Sequence, residues 1–165
     1  MITVFASYAI TEASLDCFVT LVSQTGMTEC KTRKAMSKDL YQRGEEIRRE
    51  VLGEDYVNKS VASSDPFTEP MRDFAIRNLW GDVWDRPGLD RRSRSLLNLG
   101  ILAAMNRPAE LKIHLRGALN NGVTREEMVE VFLQVALYCG VPTGSDATRV
   151  AKQFLAEFDA EQAAK

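Results

Sequence analysis

Apolar residues recur at helical spacing from residue 36 onward, and their pattern divides this part of the chain into about six helices. Leu40, Gly44, Ile47 and Val51 follow one another at intervals of four, three and four, which predicts a first helix over about 38–52, ended by Gly53. No segment alternates apolar and polar residues as a half-buried strand would. The sequence therefore predicts a single all-α domain.

The second and third helices are marked by their first residues. Thr68 and Pro70 begin the second, which ends near 86–88, and Asp90 is a good N-cap for the third. The third helix starts with arginines and then becomes strongly apolar, so we expect it in the centre of the core. The apolar side of the second helix is predicted to carry Phe67, Met71, Phe74, Ala75, Leu79 and Val83.

Three more helices follow with clear boundaries. Pro108 stands at the first position of the fourth helix, which Asn121 and Gly122 close. Thr124 and Glu127 have the spacing of a capping box and begin the fifth helix, and Gly140 and Pro142 stop it. Ser145 is the predicted N-cap of the last helix.

Residues 1–35 differ from the rest, because they are rich in Thr, Ser and Val and show no sustained period. We interpret them as a weakly structured N-terminal extension before an all-α domain over 36–165. Met36 is a candidate for the biological start of the chain. N-terminal sequencing of the native protein would contradict that idea if Ile2 were retained.

Composition excludes several classes of protein. The 165 residues, 45% of them hydrophobic, suffice for one folded domain, and a net charge of −2 offers no basic field for nucleic acid. No apolar stretch reaches the roughly 20 residues that span a bilayer, so we expect a cytoplasmic protein with no membrane partner. Cys17, Cys30 and Cys139 lie far apart without a CxxC motif, which argues against a disulfide framework, and Cys139 is interpreted as a buried structural residue.

The only histidine of the chain provides a candidate for proton transfer. His114 follows Glu110 by four residues and Arg107 by seven, so the three share one stripe of the fourth helix. A carboxylate at that distance can orient an imidazole and raise its basicity. A solvated ion pair or a structural histidine would show the same pattern, and both interpretations stay open at this point.

A turn rich in arginine lies between the second and third helices. Arg86, Arg91 and Arg94 surround the start of a helix, where free backbone N–H groups favour an anion, and Trp80 and Trp84 precede them. This is a candidate receptor for a carboxylate or phosphate. The alternative is pairing of the arginines with neighbouring aspartates at the surface and burial of both tryptophans in the core. No P-loop, GxGxxG motif or His/Cys/Asp cluster occurs, so neither a nucleotide cofactor nor a metal site is expected.

Two segments resemble the 4-carboxymuconolactone decarboxylase family, within the alkylhydroperoxidase D-like superfamily: RGEEIRREVLGEDYV (43–57) and WGDVWDRPGLDRRSRSLLNLGILAAMNRPAELKIHLRGALNNGVTREEMVEVFLQVALYCGVP (80–142). The resemblance covers nearly all of 36–165. It implies an all-α fold assembled into a ring-like homo-oligomer, a trimer or hexamer. It also implies decarboxylation of 4-carboxymuconolactone to β-ketoadipate enol-lactone in aromatic (protocatechuate) catabolism, without a cofactor.

Some members of that superfamily carry a redox CxxCxxxH motif, and here Arg107 and Glu110 stand at its cysteine positions while His114 stands at the histidine. Without the two thiols, dithiol chemistry has no mechanism, so the resemblance favours the decarboxylase branch. On a lactone with two carboxylates, His114 or Glu110 would deliver a proton, and the arginines would bind carboxylate. The alternatives are a related enzyme for another small anionic lactone or keto acid, and a non-catalytic oligomeric binder of an anionic metabolite.

Overall fold

A computed structural model describes residues 39–164, which form α-helices and one π-helical segment and contain no strand. The prediction of an all-α fold is confirmed for this part of the chain. The predicted extension over 1–35 lies outside the described residues, and its boundary at 36 stays a prediction. The elements are α1 (39–52), α2 (Glu54–Ala62), α3 (Glu69–Phe74), which continues as a π-helix (Ala75–Val83), α4 (Arg91–Ala104), α5 (Pro108–Asn120), α6 (Arg125–Cys139) and α7 (Val141–Ala163).

Two of the helices differ from the prediction. Helix α2 is additional, and only Val57 of its nine residues is buried, so its apolar pattern is too weak to detect. Helix α7 begins at Val141 rather than after Ser145. Pro142 stops α6, as predicted, and it also lies in the first turn of α7. Proline is tolerated at that position because the first backbone N–H groups of a helix have no partner within the helix.

The main core lies among α4, α5, α6 and α7, and the predicted caps fix the starts of two of these helices. The Asp90 side chain accepts a hydrogen bond from the Ser93 backbone N–H at 2.8 Å. Thr124 and Glu127 form the complete capping box. The core is built from Leu99, Ala103, Leu111, Leu115, Ala118, Val123, Met128, Phe132, Val135, Ala147, Ala151 and Phe154.

A second apolar cluster joins α1, α2 and the π-helix. At the crossing of α1 and the π-helix the two backbones touch, because a Cβ on Gly44 would lie 2.1 Å from the Ile76 carbonyl oxygen and a Cβ on Gly81 would lie 2.0 Å from that of Leu40. Only glycine allows this approach. The cluster consists of Ile47, Val51, Leu52, Val57, Trp80 and Trp84.

The predicted apolar side of the second helix is wrong. Phe67 is 92% exposed, and Met71, Phe74, Leu79 and Val83 are exposed as well. The buried face carries Ile76, Trp80 and Trp84 instead. Within the π-helix, i→i+5 hydrogen bonds, such as Trp84 N–H to the Leu79 carbonyl, lengthen the turn so that Ile76, Trp80 and Trp84 share the buried face while Leu79 and Val83 do not. Phe67, Met71 and Phe74 precede the π-helix, and α3 buries none of its residues.

Helices α4 and α6 also leave an open apolar groove on the surface of the single chain. Helix α4 buries Leu99 in the core as expected, but Leu97 and Ile101 on its other side are exposed. The groove has a volume of about 610 Å³. Cys139, predicted to be buried, is exposed, because it lines this groove at the end of α6.

Candidate active site

A cavity of about 580 Å³ lies between the α1–α2 region, the α3 and π-helical segment, and α5. It combines apolar walls with groups that can bind an anion or move a proton, whereas the α4–α6 groove offers no basic or imidazole side chain. The polar side chains that line the cavity are Arg48, Tyr56, Thr68, Arg72, Glu110 and His114. Its apolar lining consists of Leu52, Phe67, Met71, Ala75, Ile76, Leu79, Trp80 and Ile113.

The His114 imidazole lies against the two tryptophans. Its ring centroid is 6.4 Å from that of Trp80, with nearly parallel planes, and 6.3 Å from that of Trp84, while the two indoles are 4.8 Å apart. The π-helix and α5 position these rings through the second apolar cluster. The structure therefore brings His114 together with Trp80 and Trp84, although of the two indoles only Trp80 lines the cavity.

Burial lowers the pKa of His114 below its usual 6.5, and the negative charge of Glu110 acts in the opposite direction without reversing the shift. The imidazole of the free protein is therefore mainly neutral at pH 7. Glu110 lines the same cavity, so the two predicted catalytic residues meet there. No hydrogen bond joins them among residues 39–164, and their interaction is electrostatic.

The nearest hydrogen-bonding group to His114 comes from another helix. Asn98 Nδ2, on α4, lies 3.5 Å from His114 Nδ1, a distance at the long end for a hydrogen bond. An amide beside Nδ1 can hold the ring orientation. No sequence pattern connects Asn98 to His114, because the two residues are sixteen positions apart and share no helical face.

The arginine-rich turn lies outside the cavity. Arg91 pairs with Glu50 at 2.5 Å, and Arg94 donates hydrogen bonds to the carbonyls of Leu89 and Arg86, each at 3.0 Å. The Arg94 contacts hold the turn itself, and the Arg91 pair joins the start of α4 to α1. The Arg86 side chain is exposed.

Arg107 lies at the N-terminal end of α5, in a small hollow that it shares with Asp146 and Val150. It lines no part of the cavity that contains Glu110 and His114. Substrate binding by Arg86, Arg91, Arg94 and Arg107 stays a prediction.

Two arginines that sequence analysis did not select do line the cavity. Arg48 is 8% exposed and donates a hydrogen bond from Nη2 to Ser60 Oγ at 2.8 Å. Arg72 comes from α3, the helix that leads into the π-helix. Tyr56 lines the same cavity, and burial raises the pKa of its hydroxyl although Arg48 and Arg116 oppose that rise.

The described residues therefore define an all-α protein with an aromatic and cationic cavity that contains a candidate proton-transfer pair. Residues 71–153 match the model of the Carboxymuconolactone decarboxylase family, and the chain belongs to that family. No three His, Cys, Asp or Glu side chains of residues 39–164 come together as metal ligands. No helix in the same range has the length and apolarity to cross a bilayer.

Three relatives show how far the similarity extends. A 4-carboxymuconolactone decarboxylase of Acinetobacter baylyi is 43% identical over 113 residues, which are 68% of this chain and 84% of the relative. The nitrosuccinic acid decarboxylase npaB of Metarhizium robertsii is 40% identical over 127 residues, 77% of this chain and 89% of that protein. An uncharacterized 15.0 kDa protein of Paracoccus denitrificans is 34% identical over 86 residues, 50% of this chain and 64% of its own.

Proposed function

We propose that this protein is a carboxy-lyase that converts 4-carboxymuconolactone to β-ketoadipate enol-lactone in aromatic (protocatechuate) catabolism, without a cofactor. The observation that carries the proposal is the meeting of His114, Glu110 and two arginines in one cavity of a chain that is 43% identical to a 4-carboxymuconolactone decarboxylase. The cytoplasm stays the predicted location.

The chemistry needs only charge stabilisation and one proton. The leaving carboxylate is attached to the γ carbon of an α,β-unsaturated lactone. When its C–C bond breaks, CO2 departs and the electron pair delocalises through the double bond onto the lactone carbonyl. Protonation of the resulting dienolate at the α carbon gives the enol-lactone. The cavity must therefore hold the retained carboxylate, stabilise the dienolate oxygen and deliver the proton.

His114 is the proposed proton donor, and Glu110 supports it. The free imidazole is mainly neutral at pH 7 because burial lowers its pKa. A dianionic substrate in the same cavity raises that pKa, because an adjacent negative charge favours the protonated ring. The donor thus becomes charged when substrate binds, and Glu110 adds to the same effect.

A second candidate substrate class is a small open-chain diacid, and the observation that favours it is the 40% identity to a nitrosuccinic acid decarboxylase. In both substrates one carboxylate leaves from a carbon that can pass its electrons to an acceptor group, and another carboxylate is retained. A related lactone or keto acid with such an acceptor group would lose a carboxylate in the same way. A non-catalytic binder of an anionic metabolite would show no turnover of any of them.

A substrate panel separates these functions. The protein is mixed in turn with 4-carboxymuconolactone and nitrosuccinate, and CO2 release and lactone absorbance are followed. We expect the higher kcat/KM with the lactone. Preference for nitrosuccinate would move the protein to the second class, and binding without CO2 release from either would contradict both enzymatic proposals.

We also propose that the protein is a homo-oligomer, as the family resemblance implies for a trimer or hexamer. The support is the open groove between α4 and α6, beside which Leu137 and Tyr138 are 78% and 76% exposed. Apolar surface of this extent is usual at interfaces. Sedimentation at micromolar concentration that shows only the mass of one chain would contradict this proposal.

A further inference from the structure

The cavity contains two arginines whose hydrogen-bonding capacity is only partly used. Arg48 Nη1 and Arg72 Nε are both buried and have no hydrogen-bond partner. A buried donor without an acceptor is costly in free energy, so such groups usually meet a partner that the protein alone does not supply. Both side chains line the cavity that also holds His114.

The ion pairs of these two arginines are loose. Arg48 Nη1 is 3.7 Å from Glu45 Oε1, which is itself buried and unpartnered, and Arg72 Nη2 is 3.7 Å from Glu69 and 3.5 Å from Asp73. These distances are at or beyond the limit of a hydrogen bond. The nearby carboxylates balance part of the positive charge but leave Arg48 Nη1 and Arg72 Nε without a close acceptor.

Several arginines outside the cavity are paired much more closely. Arg43 is 2.7 Å from Asp85, and Arg125 is 2.5 Å from Asp159. Arg77 Nε is also buried without a hydrogen-bond partner, but Arg77 lines no part of the cavity. What distinguishes Arg48 and Arg72 is therefore that they combine unused donors with a place in the cavity wall. A carboxylate is the group whose oxygen geometry best matches such donors.

We propose that Arg48 and Arg72 form a carboxylate-binding subsite of the cavity, and that this subsite holds the carboxylate that the substrate retains. The inference rests on the proposed function for the identity of the substrate, a small dicarboxylate. Strong binding of the leaving carboxylate would stabilise the ground state and oppose its loss, so the arginines suit the retained one. Glu110 and His114, on the α5 wall, then face the reacting part of the molecule.

The test uses the two tryptophans, which are the only ones in the chain and both lie beside His114, so their fluorescence reports on the cavity. The full-length protein is titrated with succinate at constant ionic strength, and turnover of the lactone substrate is measured in parallel. We expect Arg72→Gln to raise both the Kd for succinate and the KM for the lactone by about 10- to 100-fold, the usual effect of losing a hydrogen bond to a charged group. The affinity for neutral γ-butyrolactone should not change.

Arg77→Gln is the matched control. Arg77 lies in the same helical run, pairs with the same Asp73 at 3.8 Å and lines no part of the cavity. Its Kd for succinate should equal that of the parent. An equal loss in Arg77→Gln and Arg72→Gln would indicate a general charge effect and overturn the subsite.

Arg48 needs a second variant because its burial can make Arg48→Gln fail to fold. Replacing both Glu45 and Arg48 by glutamine removes the facing charges together, and this variant should also bind succinate at least about tenfold more weakly. Parental Kd and KM in the folded Arg72→Gln and double variants, with normal turnover, would refute the subsite and leave the proposed function intact. Arginine-dependent binding of succinate without turnover of any lactone would support the subsite and contradict the proposed function.

Discussion

The crossing of α1 and the π-helix yields a prediction that connects packing to the site. In Gly81→Ala the new Cβ would lie 2.0 Å from the Leu40 carbonyl oxygen, about 1 Å closer than real Cβ contacts come. Both partners belong to helical backbone, so no side chain can move aside and the helices must separate by about 1 Å. Such a gap removes roughly a quarter to a half of each dispersion contact across the second apolar cluster. We expect a loss of about 3 kcal/mol in the free energy of unfolding, at the upper end of overpacking effects.

The activity should fall as well, because Trp80 is adjacent to Gly81 and lies against His114. A displacement of about 1 Å in an active site can lower the rate about 100-fold. Urea denaturation and kcat for CO2 release measure the two effects. Gly88→Ala is the control, because nothing lies within 4 Å of its added Cβ. Stability and kcat in Gly81→Ala equal to those of Gly88→Ala would refute the close crossing.

Three further predictions concern His114, the Thr124 cap and the cysteines. His114 gives one imidazole signal in NMR, and its pKa should lie below 6.5 in the free protein and lower still in Glu110→Gln; a value above 6.5 would contradict the burial described here. Because the pKa of His114 is higher in the unfolded chain, the unfolded chain binds a proton at a higher pH than the folded one. The free energy of unfolding should therefore decrease as the pH falls below 6.5, and a urea midpoint that rises over this range would contradict the lowered pKa. Thr124→Ala should cost about 1 kcal/mol in urea denaturation through loss of the capping box, and an unchanged midpoint would show that the box is dispensable. Replacing all three cysteines by serine should preserve substantial turnover, since Cys139 is exposed and lines no part of the cavity, whereas an inactive folded variant would restore thiol chemistry.

Local signals in the sequence predicted the helix ends that depend on local contacts. Asp90 and the pair Thr124 and Glu127 cap their helices as their spacing indicates, because a cap involves only residues within one turn. The prediction of the buried face was wrong where the helix type changes. Ile76 and Trp80 are buried in a π-helix, whose longer turn the regular α-helical spacing does not describe.

The candidate site was predictable only along α5. Glu110 and His114 are one turn apart, and their side chains enter the same cavity. Arg48 and Arg72 reach that cavity from distant parts of the chain, so no local pattern distinguishes them from surface arginines. Conversely, the conspicuous cluster around Arg91 and Arg94 uses its donors elsewhere, because Arg91 pairs with Glu50 on α1 and Arg94 binds backbone carbonyls of its own turn.

Proton delivery by His114 is tested by the kcat for CO2 release from 4-carboxymuconolactone in His114→Ala, Glu110→Gln and the double variant. We expect His114→Ala to lower kcat by about 10²- to 10⁴-fold, the usual contribution of a positioned general acid. Glu110→Gln should reproduce much of that loss, and the double variant should be little worse than the worse single one, because residues of one catalytic unit are not additive. Full kcat in a folded His114→Ala protein would contradict the account and transfer proton delivery to Glu110 or to water.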